Sequence, residues 1–273
     1  MSTFRAACVQ LRSSDDVAQN IRVASELIRE ARAKGADFIA TPENTTLMAA
    51  DGGTKLERTF SEDADPALPA FRALAEELGA WLLIGSLAIK TDATKTANRS
   101  FLIDPKGRVA ARYDKIHLFD TDPGSGESYR ESNTVSGGHR AVTADLPWGK
   151  LGMTICYDLR FPQLYRRLAE SGAFMLSVPS AFTETTGKAH WQVMLRARAI
   201  ENGAFVIAPA QGGIHANGRA TYGHSLIVAP WGEILAEAGT EPGVILAEID
   251  PAAVKSARSR VPSLTHDREF EGP

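Results

Sequence analysis

Three short turns, Pro105-Lys-Gly107, Pro147-Trp-Gly149-Lys150 and Pro230-Trp-Gly232, each stand between two strand-like runs, and they restrict the fold more than any other feature. Proline presets the φ at which the chain enters a tight turn, and glycine accepts the positive φ that closes it. Each turn therefore marks a hairpin: residues 98–104 with 109–113, 141–146 with 151–156, and 222–228 with 233–236. Hairpins pair strands antiparallel, so a purely parallel sheet is excluded and mixed sheets are expected.

Between the hairpins, helical and strand periods alternate. Residues 15–33 carry Val17, Ile21, Ala24, Ile28 and Ala31 on one helical face, and residues 69–79 repeat the pattern with Phe71, Leu74 and Leu78. Further helices are expected at 162–172, 191–202 and 251–260, and further strands at 4–11, 36–42, 81–89, 173–179, 204–210 and 244–249. Residues 51–66 and 121–139 are polar, lack either period, and read as surface structure and a long loop. With no repeat and no low-complexity linker, residues 1–273 are expected to form one domain of two sheets with outer helices.

The charge balance, 30 Lys and Arg against 33 Asp and Glu, offers no electrostatic footprint for nucleic acid. No apolar run reaches signal-peptide or membrane-span length, so no membrane partner is expected and a cytoplasmic location is. The two cysteines, Cys8 and Cys156, are too few for a disulfide framework. Cys8 lies inside an apolar strand with no charged partner after it and reads as a buried structural residue. Cys156 differs. The run 151–156 ends on it, a short polar turn follows, and Phe161-Pro162 opens a helix. Backbone N–H groups at such a start carry partial positive charge, which favours thiolate and can hold an oxyanion. A lone cysteine beside an apolar strand is more often a small buried hydrophobe, so the residue needs partners.

Candidate partners stand at or beyond other strand ends: Glu43 after Pro42, Lys115 after the first hairpin, and Glu131 in the long loop. A carboxylate that takes a thiol proton, a thiolate that attacks a carbonyl carbon and an ammonium that neutralises the resulting oxyanion would form a nucleophile set. Taken singly, a Glu or Lys is more often a solvated charge. His117, His190, His215 and His224 show no metal-ligand spacing, and neither a metal site nor a cofactor is expected.

The segments Thr41-Pro-Glu43, Tyr113-Asp-Lys115-Ile-His-Leu-Phe-Asp120 and Ile155-Cys156-Tyr-Asp-Leu-Arg160-Phe-Pro162 resemble the three signature segments of the nitrilase superfamily of carbon–nitrogen hydrolases, in the same order. Thr186-Gly-Lys-Ala-His190-Trp, Arg196-Ala-Arg198-Ala-Ile-Glu201 and Tyr222-Gly-His224-Ser resemble its Nit branch of amidases. The resemblance implies an α/β fold, a four-layer αββα sandwich with two mixed sheets, and a catalytic triad of Glu43, Lys115 and Cys156. It further implies a second glutamate, Glu131, that orients the lysine and substrate, and a Tyr157 backbone N–H as oxyanion donor. Arg160 would reach a remote substrate carboxylate or form a structural ion pair with Asp158 or Glu201. Tyr129, Phe182 and His190 are further candidates for substrate binding.

The implied activity is hydrolysis of the C–N bond of a small carboxylate-bearing amide through a Cys-linked thioester, with release of ammonia. Ala208-Pro-Ala-Gln211-Gly-Gly213 is more similar to the amidases that act on deaminated glutathione, with Gly212 in place of a cysteine. An ω-amidase acting on α-ketoglutaramate, a nitrilase, a carbamoyl hydrolase and a non-catalytic interaction protein are the alternatives. Relatives assemble by pairing helical layers, so a homodimer is expected.

Overall fold

All three Pro-x-Gly turns close hairpins. The computed structural model describes residues 2–124 and 126–272. The first half contains β1 (Phe4–Gln10), α1 (Val17–Ala33), β2 (Phe38–Ala40), α2 (Gly52–Glu57), α3 (Ala67–Leu78), β3 (Trp81–Lys90), β4 (Thr96–Ile103) and β5 (Val109–Asp114). The middle contains β6 (Asp120–Gly124), β7 (Glu127–Arg130), β8 (Val142–Leu146), β9 (Gly149–Met153), α4 (Pro162–Glu170), β10 (Ala173–Ser177) and α5 (Glu184–Asn202). The last part contains β11 (Phe205–Ala208), β12 (Gly212–Ile214), β13 (Ala220–Tyr222), β14 (Leu226–Val228), β15 (Ile234–Glu237), β16 (Gly243–Ile249) and α6 (Ala252–Arg260).

One sheet runs β16-β1-β2-β3-β4-β5 and the other β15-β14-β11-β10-β9-β8. Each has a parallel centre, β1–β2–β3 or β9–β10–β11, flanked by antiparallel strands. Both sheets are therefore mixed, as the hairpins require. Side chains alternate along β1: Ala7 and Val9 face the cluster built on α1 and α3, while Ala6 and Cys8 face the second sheet. The far side of the second sheet is closed by Leu164 and Leu168 of α4 and Trp191 and Leu195 of α5. The layers thus run helix, sheet, sheet, helix. Each fully buried aliphatic or aromatic side chain, such as Ile28 or Phe71, contributes about 1.5–3 kcal/mol.

Four local expectations are corrected. The polar segment 51–66 contains α2, capped by Asp51, whose side chain accepts from the Thr54 N–H. Within 121–139, β6 and β7 pair as a short hairpin. Its exposure alternates without a buried face, so no hydrophobic period marks it. The α5 helix starts at Glu184, two turns earlier than its apolar period, because Thr183 caps it and accepts from Thr186 N at 3.3 Å. A further small hairpin, β12–β13, arises from residues that carry no strand pattern. Among the described residues, no helix is long and apolar enough to cross a membrane.

Candidate active site

Pro42 ends the first-sheet strand β2 and turns the chain, and the turn is sewn to β3 by buried polar groups. Thr45 N donates to Ser86 O at 3.0 Å, Asn44 N to Ser86 Oγ at 2.9 Å, and Gly85 N to Thr41 Oγ1 at 3.0 Å. Position 85 admits no side chain, since a Cβ there would lie 2.0 Å from Thr41 O. These bonds fix Glu43, which is 3% exposed, with its carboxylate facing inward. Glu43 Oε1 accepts from Lys115 Nζ at 2.8 Å and from Asn98 Nδ2 at 2.9 Å; Oε2 accepts from Ala181 N at 3.0 Å.

Lys115 follows β5 directly and its N–H donates to Asn98 O at 2.9 Å, which anchors it to the neighbouring strand. Its ammonium bridges Glu43 and Glu131, with 2.9 Å to Glu131 Oε2. Glu131 begins a 3-10 turn after β7 and also accepts from Phe119 N at 2.7 Å and Asn98 Nδ2 at 3.1 Å. Burial disfavours the Lys115 charge, but the Glu131 and Glu43 carboxylates outweigh it and hold the ammonium well above its ordinary range. Burial likewise pushes Glu131 upward. The Lys115 and Lys55 ammoniums and the Phe119 N–H overcome it and bring the carboxyl down to about 2. Asn98 ties the two glutamates together through one amide nitrogen, a role that its place in a hairpin strand did not announce.

Cys156 comes from the second sheet. β9 ends at Met153, Ile155 is still extended, and Cys156 turns at φ +49°, a left-handed conformation rare for a residue with a Cβ. Asp158, 0% exposed, holds this turn. Its Oδ2 accepts from Ile155 N at 2.9 Å and Tyr113 Oη at 2.7 Å, and its Oδ1 from His117 N at 3.0 Å and His117 Nδ1 at 2.7 Å. The thiol lies against Glu43 and the Ala181 N–H, and burial together with the Glu43 carboxylate pushes its titration well up. The expected helix start at the sulfur is corrected: the Cys156 N–H is spent on Pro179 O at 2.9 Å, only a short 3-10 turn follows, and α4 does not begin until Pro162. Among the described residues, no acceptor takes the Tyr157 N–H.

These groups stand at the base of a cavity of about 550 Å³, within the range of small-molecule sites. Tyr129 and Phe182 line it, as do Tyr157 and Phe119. Arg160 and His190 do not. The Arg160 guanidinium stacks on Tyr157 and Phe182, 5.8 and 5.6 Å from the ring centroids, and points its nitrogens at His190 Nδ1, 3.3 Å away. Neither Asp158 nor Glu201 pairs with it; Glu201 pairs with Arg198 at 2.9 Å. Arg160 therefore packs against two rings that line the cavity, and the expected ion pair with Asp158 or Glu201 is corrected. Besides Lys115 and Arg130, two cations face the cavity, Lys55 and Arg219, from α2 and the β12–β13 turn. Neither belongs to a motif, and both elements escaped the periodic reading. Among the described residues, no group of three or more His, Cys, Asp or Glu side chains is arranged to hold a metal ion.

Cys8 is fully buried, and its burial likewise pushes the thiol well up, which fits its structural reading. The carbon–nitrogen hydrolase family model matches residues 5–259. A Synechocystis protein named deaminated glutathione amidase is 43% identical over 270 residues, covering 97% of this chain and 98% of its own. The crystal structure of the C. elegans NitFhit protein superposes with a TM-score of 0.91 at 35% identity, covering 98% of this chain and 66% of that longer one. A Glu-to-Gln mutant of the amidase from Nesterenkonia sp. AN1, 25% identical over 97% of this chain and 94% of its own with a TM-score of 0.83, shows the acetamide moiety of fluoroacetamide added covalently at its active-site cysteine. The match over nearly the whole length, on a fold reached independently from the hairpins and layers, makes this chain an amidase of the carbon–nitrogen hydrolase family, in the Nit-type branch of the nitrilase superfamily.

Proposed function

We propose that this chain hydrolyses deaminated glutathione through a thioester on Cys156. The observation that carries the mechanism is a buried cysteine that shares one cavity with a carboxylate, Glu43, already bonded to an ammonium, Lys115. Glu43 takes the Cys156 proton as the sulfur attacks the amide carbon. The oxygen that becomes negative is met by the Lys115 ammonium and the Tyr157 N–H. Glu43 then returns the proton to the departing nitrogen. That group is ammonia from a primary amide, and the amino group of the released dipeptide from deaminated glutathione. Water activated by Glu43 cleaves the thioester and restores the thiol. Glu131 keeps Lys115 charged and aimed, since its carboxylate accepts one of the ammonium's three protons.

The substrate assignment is supported by the name of the Synechocystis relative and by a cavity that admits more than a minimal amide. Purified protein is expected to turn over deaminated glutathione with a kcat/KM at least about tenfold above α-ketoglutaramate, N-carbamoyl amino acids and simple nitriles. Free amine and ammonia are both to be quantified. Preference for α-ketoglutaramate would reassign the chain as an ω-amidase, and turnover of none would leave an interaction role.

We also propose a homodimer in a reducing compartment. Two free cysteines support the compartment. Val193 and Ile200 on the outer face of α5, 69% and 53% exposed, support the dimer, with the exposed Trp231 on the adjoining hairpin turn. A monomer mass in light scattering at micromolar protein would overturn it.

A further inference from the structure

Lys115 is matched by two carboxylates, whereas Lys55 and Arg219 are matched by none. Among the described residues, no Asp or Glu oxygen lies within 4.0 Å of either cation. The Arg219 guanidinium spends one nitrogen on Ala181 O at 2.9 Å, sets another 3.9 Å from Met48 Sδ, and leaves a buried Nε without a partner. Its plane lies over the Tyr129 ring, 5.1 Å from the centroid. The carboxylate on that side, Glu127, accepts from the Tyr129 hydroxyl at 3.2 Å and makes no ion pair with Arg219. Arg130, the other arginine on the wall, is satisfied by Asp122 at 2.7 Å, and Asp51 is occupied in capping α2.

The Lys55 ammonium donates to no protein acceptor among the described residues, although it faces the same cavity. Withdrawal from bulk water lowers its titration, the Glu131 and Glu43 carboxylates oppose that, and the Lys115 and Arg219 charges add to it. Two mutually repelling cations with unused donors on one cavity wall are a site for an anion, because a shared carboxylate relieves the repulsion and satisfies the donors together. The position also couples to the chemistry. Ala181 gives its N–H to Glu43 and its carbonyl to Arg219, so one residue separates the proton acceptor from the guanidinium.

We propose that Lys55 and Arg219 form an anion subsite that holds a carboxylate of the substrate remote from the scissile amide, so that the enzyme selects anionic amides over neutral ones. The proposal rests on the amidase reading above and names the residues that would give it specificity. The unmatched charge that lines the cavity sits on α2 and on the β12–β13 turn.

The test uses glutaramate, the monoamide of glutaric acid, against its methyl ester, with wild type, Lys55→Gln, Arg219→Gln and Arg219→Lys. Wild type is expected to favour the acid by at least about tenfold in kcat/KM. Each glutamine variant is expected to cut that acid-to-ester ratio by about tenfold or more, mostly through KM, and Arg219→Lys by less. Lys55 sits on a helix with no buried side chain, so Lys55→Gln decides the matter even if Arg219→Gln fails to fold. An unchanged ratio in Lys55→Gln would overturn the subsite while leaving the amidase reading intact. If wild type hydrolyses neither probe, protection of Cys156 from iodoacetamide by glutarate decides instead. Protection lost in the glutamine variants keeps the subsite and rules out glutaramate as a substrate, and equal protection in all four proteins overturns the subsite.

Discussion

Replacing Cys156 by alanine is expected to lower amide hydrolysis by roughly 10⁴-fold or more. The cavity, the Lys115 ammonium and the Tyr157 N–H all survive the change, so the loss isolates the sulfur. Binding of the amide should persist, and the thermal midpoint should stay close to wild type, because a single small atom is removed from a wall that opens on the cavity. The paired measurement is intact mass after an acid quench in mid-turnover. Wild type should carry the acyl group on Cys156, and Cys156→Ala should carry none. Residual turnover within about a hundredfold of wild type would remove the covalent route and leave direct attack by water. The thiol adds a second signature. Its titration is raised by burial and by Glu43, so iodoacetamide should alkylate it without the acceleration a free thiol shows on approaching pH 9.

Lys115→Met is expected to damage both turnover and folding. The lysine is 2% exposed and stands between two carboxylates that, among the described residues, no other cation touches, so its removal leaves buried negative charge unmatched. Breaking such a pair costs about 3–5 kcal/mol, which urea unfolding at neutral pH would read directly. Turnover should fall by at least about a hundredfold through the missing oxyanion donor alone. The acid limb offers a separate check. Glu131 titrates near 2 in the folded chain against an ordinary 4.5, so its stabilising contribution is full above that ordinary value and is lost as pH falls from there toward 2. Without the Lys115 charge that depression relaxes, and the stability difference between about pH 3 and about pH 7 should shrink. Lys115→Arg should recover part of the stability and little of the turnover, since a planar fork does not occupy the place of a compact ammonium. An arginine variant with near-normal turnover would show that any cation suffices there.

The residues that were legible in the sequence are those fixed by local chemistry. Pro-x-Gly turns announced the three hairpins, and Glu43, Lys115 and Cys156 each stood at or just past a strand end in a recognisable segment. Asn98, Asp158 and Ala181 were not legible as site residues, because their roles exist only where distant strands meet: Asn98 is 55 residues from Glu43, and Ala181 is 138. Lys55 and Arg219 were hidden for a different reason. They ride on a short helix and a short hairpin turn with little or no buried face, so hydrophobic periodicity, which reports burial, had little to report. The ion pair expected for Arg160 failed because proximity in sequence to Asp158 does not decide where a long side chain goes, and the guanidinium stacks on the Tyr157 and Phe182 rings instead. The expected helix start at Cys156 failed on geometry, since its N–H bonds Pro179 O and only a short 3-10 turn precedes α4.

Glu43, Lys115 and Asn98 all hang from the first sheet, and Cys156 with Ala181 from the second. A folding chain that has formed only one sheet therefore holds half of a reactive pair. The acidic cluster can assemble early without a nucleophile, and the sulfur can be placed without its proton acceptor. Nascent and partly unfolded molecules are in this way inert, and recovery of turnover during refolding becomes a clock for the docking of the two sheets, later than any signal from secondary structure.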